Sequence, residues 1–98
     1  MPIDQHRQDE IAAAVAAYNQ ANLHEPLPRN ATRVLAVMFP DSDVCHRSLE
    51  ALVAEGVAKN SLPGTLRRLV ASGLLSKQRG SAAIPDIYRL HLPPRRQP

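Results

Sequence analysis

The chain has 98 residues, room for one domain with a modest core and not for a second globular unit. Tyr18, Phe39 and Tyr88 are its only aromatics, so Leu, Val, Ile and Ala must do the packing. A formal net charge of +3 permits an anionic polymer as partner without requiring one, and the lone Cys45 excludes an internal disulfide.

From Asp4 to about Ala21 the stretch DQHRQDEIAAAVAAYNQA joins strong helix formers, with Asp4 placed to cap and acids near the positive end of the dipole. The Ala-rich run is too short and too interrupted for a leader or a membrane span, so a cytoplasmic protein is expected. Ile11, Val15 and Tyr18 form a narrow apolar stripe that must lie against the rest of the domain or against a second copy. Pro26 and Pro28 set an extended connection, and a boundary is expected after residue 29.

Asn30 is the expected cap of a helix in which Ala31, Val34, Leu35 and Met38 fall at i, i+3, i+4 and i+7, ended by Pro40. A turn-rich segment follows, with a short extended piece around Val44 and Cys45. Ser48, or Asp43 for a longer helix, caps the next helix, whose Leu49, Leu52 and Val53 share a face and whose stop is Gly56. Asn60 or Ser61 then caps a third core helix with Pro63 in its first turn, a buried stripe of Leu62, Leu66, Leu69 and Val70, and Thr65 and Arg68 most outward. Gly73 closes it. LLSKQR and IYRLHL read as the two strands of a β-hairpin, with Tyr88, Leu90 and Leu92 alternating against Arg89 and His91. Residues 93–98 are expected to form a disordered tail.

Three core helices and a terminal hairpin, with SLPGTLRRLVASGLLSKQRG leading to IPDIYRL, resemble the winged helix-turn-helix family over Asn30 to Leu92, about two thirds of the chain. The resemblance implies an α+β, mainly α fold: a three-helix core plus a C-terminal β-hairpin wing, here with an extra N-terminal helix. It divides the chain into residues 1–29 (helix and linker), 30–92 (winged domain) and 93–98 (tail). It further implies a double-stranded DNA-binding protein, a transcriptional regulator or a replication or mobile-element accessory factor. On that resemblance the third helix enters the major groove, and the wing touches the neighbouring backbone or minor groove. Lys59, Asn60, Ser61 and Thr65 then stand at the leading end, Arg67 and Arg68 along the exposed sides, and Lys77, Gln78 and Arg79 on the wing. Two features depart from the family pattern. Pro63 and Gly64 leave the leading turn nearly bare of base-reading side chains, and the wing tip GSAAIPD is small and neutral with an acidic end.

Other chemistries find less support. Asp41, Asp43, Cys45 and His46 lack the second ligand pair that a zinc site needs, and are read as caps and a buried thiol. Cys45 and His46, as neighbours, do not make a nucleophile and base. No phosphate loop or paired acids of recognisable spacing occur, so neither an enzyme nor a cofactor is expected. The competing reading is a protein-binding winged helix without DNA, supported by the Ile11, Val15 and Tyr18 stripe. The same stripe serves equally as the expected homodimer contact of a DNA-binding protein.

Overall fold

The computed structural model describes residues 5–92; the Asp4 cap and the tail at 93–98 lie outside the described residues. Among the described residues there are four helices and one three-stranded antiparallel sheet. No helix among them is long and apolar enough to cross a membrane.

Helix α1 (Gln5–Ala21) buries Ile11, Ala14 and Val15, the i, i+3, i+4 positions of one face, and packs on α2 (Ala31–Met38). Arg7 ties its first turn to Asp43 at 2.5 Å, and the Asn19 side chain accepts the Leu27 N–H at 2.8 Å, folding the proline linker back. The stripe therefore finds its partner inside the chain. Ile11 is fully buried and Tyr18 packs against the same cluster, so a dimer contact through Ile11, Val15 and Tyr18 would require opening the core. The boundary after residue 29 separates directions of the chain, not cores, because Ile11 and Leu90 belong to one cluster.

In α2 the expected stripe, Ala31, Val34, Leu35 and Met38, is buried, and Phe39 ends the helix with its N–H on the Leu35 carbonyl. Asn30 precedes the helix but does not cap it; its side chain reaches across to Ser61 and Thr65 instead. Strand β1 (Val44–Cys45) is the short extended piece, with Cys45 buried. Ser48, not Asp43, caps α3 (Leu49–Ala54), accepting from the Ala51 N–H at 3.2 Å. Of the expected α3 face, Leu52 is buried and Leu49 is 40% exposed. Gly56 takes the left-handed conformation after the helix, at φ 103°.

Helix α4 (Leu62–Ser72) starts after Ser61 with Pro63 in its first turn and stops at Gly73, φ 86°. Its phase is rotated from the expected one. Leu62, Thr65, Leu66 and Leu69 face the core, while Val70 is 39% exposed. Thr65, expected outward, is 2% exposed. A threonine tolerates that position because its hydroxyl donates to Asn30 Oδ1 at 2.8 Å, leaving no buried donor unpaired. Strands β2 (Leu75–Gln78) and β3 (Ile87–Leu90) complete the sheet in the order β1-β3-β2, with Lys77 opposite Tyr88 and Ser76 opposite Arg89.

Candidate nucleic-acid interface

Rotation of α4 decides which of its side chains meet solvent. Pro63, Gly64, Arg67, Arg68, Val70 and Ala71 are exposed. Pro63, Arg67 and Val70 are spaced i, i+4 and i+7 and so run along one side of the helix. That side borders a groove of about 320 Å³, lined also by Lys77 and Tyr88 from the sheet and by Leu49 of α3. A second hollow, about 470 Å³, shares Leu49 and Pro63 with the first and adds Lys59, Asn60 and Glu50. Lys59, Asn60, Arg67 and Lys77, chosen from the sequence as DNA contacts, thus lie on one continuous surface.

The remaining expected contacts are placed differently. Thr65 is inside, as described. Ser61 is exposed, but its hydroxyl accepts from the Asn30 amide at 3.1 Å and donates to the Ala58 carbonyl at 3.3 Å, so it serves the start of α4. Arg68 turns towards the proline linker, donating to the carbonyls of Glu25 at 3.2 Å and Pro26 at 2.7 Å. One helical step separates it from Arg67, enough to carry the two guanidiniums to different flanks. Gln78 alternates with Lys77 along β2 and so lies on the opposite face of the sheet, with Ser76 and Arg89. Arg79 follows the strand and is exposed.

Pairing divides the cations further. Among the described residues Arg7 pairs with Asp43, Arg47 with Glu55 and the Val37 carbonyl, and Lys77 with Asp86 at 3.3 Å. Lys59, Arg67 and Arg79 form no ion pair or side-chain hydrogen bond among the described residues. Asp86 organises the hairpin loop. Its carboxylate accepts the Gly80 N–H at 2.8 Å, which holds its pKa below the ordinary carboxylate value, with Lys77 and then Arg79 adding to the effect against a partial desolvation. Gly80 suits this turn because a Cβ there would collide with the Ile84 and Pro85 carbonyls. Burial on the same strand pair pushes the Tyr88 hydroxyl above its ordinary value, so it is neutral at the groove wall.

Apolar atoms share this surface, a feature that the sequence reading missed. Leu49 and Val70 are exposed beside Arg67, and Ile84 stands out from the hairpin loop. The signal available was helical phase: Thr65 at i+3 from Leu62 and i−4 from Leu69 completes the stripe that had been assigned to Val70. Among the described residues no three His, Cys, Asp or Glu side chains gather as a metal site would need. Comparison of the chain with protein-family models, with curated proteins and with solved structures gives no match.

Proposed function

We propose that this chain binds double-stranded DNA non-covalently through α4 and the β2–β3 hairpin, as a winged helix-turn-helix protein serving transcription control or a replication or mobile-element process. The order α2, β1, α3, α4, β2, β3 and the sheet order β1-β3-β2 are compatible with that fold. One observation carries the reading. Lys59 and Arg67, without intramolecular partners among the described residues, share one surface with Lys77 beside the exposed side of a helix. Cations on a helix, on the turn that leads into it and on an adjoining strand can neutralise phosphates on both sides of a groove and fix the register of the duplex. No cofactor or catalytic step enters this reading.

Exposed Leu49 and Val70 favour a second reading, a protein partner laid along the same groove. Gel-shift titration separates the two. Arg67→Ala is expected to weaken duplex binding about fivefold to a hundredfold, the scale of losing a base or phosphate contact of about 1–3 kcal/mol. Arg89→Ala, on the other sheet face, is expected to change it less than twofold. Equal effects of the two changes, or no duplex binding at low salt, would favour the protein partner.

A further inference from the structure

The apolar side chains around Arg67 point to what the groove reads. Pro63 and Val70 flank Arg67 on the same side of α4, and Leu49 adds a further apolar side chain to the same groove. Pressed against phosphates, these atoms would strip water from charged oxygens and offer no hydrogen bond in return. The major groove of DNA offers one apolar feature at the base edges, the C5-methyl group of thymine. Paired uracil lacks it, and the deep, narrow major groove of an RNA helix does not admit side chains of this kind. We infer that Val70 and Pro63 are specificity-determining residues that pack on thymine methyl groups, with Arg67 between them directed to a purine edge. This inference rests on the duplex-binding reading and deepens it.

Helix geometry sets the expected spacing. Arg67 lies four residues from Pro63 and three from Val70, about 6 Å and about 4.5 Å along the axis. Successive bases on a strand rise about 3.4 Å. The methyl groups therefore fall roughly one to two base pairs to either side of the base that Arg67 meets. Gly64, between Pro63 and Arg67 in sequence, has no side chain and open space beyond its Cα, so at that position the backbone can come close to the base edges.

The test needs no altered protein at its first step. Duplexes selected from a random library by the full chain are resynthesised with each thymine in turn replaced by deoxyuridine, and affinity is read by fluorescence anisotropy at fixed salt. At one or two positions near the preferred purine, loss of the methyl group is expected to weaken binding roughly threefold to tenfold, the scale of one buried methyl. Val70→Ala is expected to erase that difference at one of them while melting near the parent temperature, since its side chain is partly exposed. Tight binding that is indifferent to every uracil replacement overturns the inference and leaves duplex binding standing. Failure to retain any duplex overturns both.

Discussion

Thr65 and Arg68 show how a single side chain can look like a ligand contact and serve the scaffold. Thr65 Oγ1 is buried on Asn30 Oδ1, so Thr65→Val keeps the shape and leaves the amide oxygen without its donor. A loss of about 1–3 kcal/mol is expected, seen as a fall in Tm of several degrees with duplex affinity of the folded protein little changed. Arg68→Ala releases the linker carbonyls of Glu25 and Pro26; because the group is exposed, the expected cost is about 1 kcal/mol or less, again read in thermal melts. Arg67→Ala does the reverse, lowering affinity and sparing Tm. If Arg67→Ala and Arg68→Ala had the same signature, the division of labour between these neighbouring arginines would fail.

At the scale of the element, caps and breakers were legible and helix phase only partly so. Ser48, Gly56, Gly73 and the Pro63 first turn act through local backbone, and local sequence carries that information. Asn30 reads locally as a cap, but its partners, Ser61 and Thr65, are 31 and 35 residues away and no local rule anticipates them. Val70 was misjudged because valine at a stripe's edge reads as core by type, and only the packing of Thr65 settles the phase. Gln78 follows from strand alternation once the register with β3 is known, which the sequence alone does not supply.

The hairpin loop makes an element-scale prediction about pH. Asp86 has its folded pKa lowered by the Gly80 N–H first and by Lys77 and Arg79 after it, so the unfolded chain takes up its proton more readily than the folded one. The resulting stabilisation of the loop is full above the unfolded value of about 3.9 and is lost as pH falls through the lower folded value. The Gly80 amide resonance should titrate with a midpoint below the ordinary carboxylate range, and Asp86→Asn should remove that titration. A midpoint at or above the ordinary value would contradict the hydrogen bond as described.

For the molecule as a whole, one apolar cluster, mainly aliphatic with Phe39 and Tyr88 in it, joins α1 to the remaining helices and the sheet. Ile11, fully buried, is a keystone of that junction, and Ile11→Ala is expected to cost about 2–5 kcal/mol, a fall in Tm on the order of 10 °C or more. A helix that served only to join two copies would instead give a small, concentration-dependent change. The same core packs α4 against β2, which sets Arg67 and Lys77 beside each other, with Lys59 on the turn that leads into α4.

The most direct measurement is the salt dependence of duplex affinity for the full chain, beside Lys59→Ala. Each neutralised phosphate contributes about −0.9 to the slope of log affinity against log salt, so three or four contacts predict about −3 to −4, and removing Lys59 should flatten the slope by about one while weakening all sequences alike. A slope near zero, or one that Lys59→Ala leaves unchanged, would contradict the account.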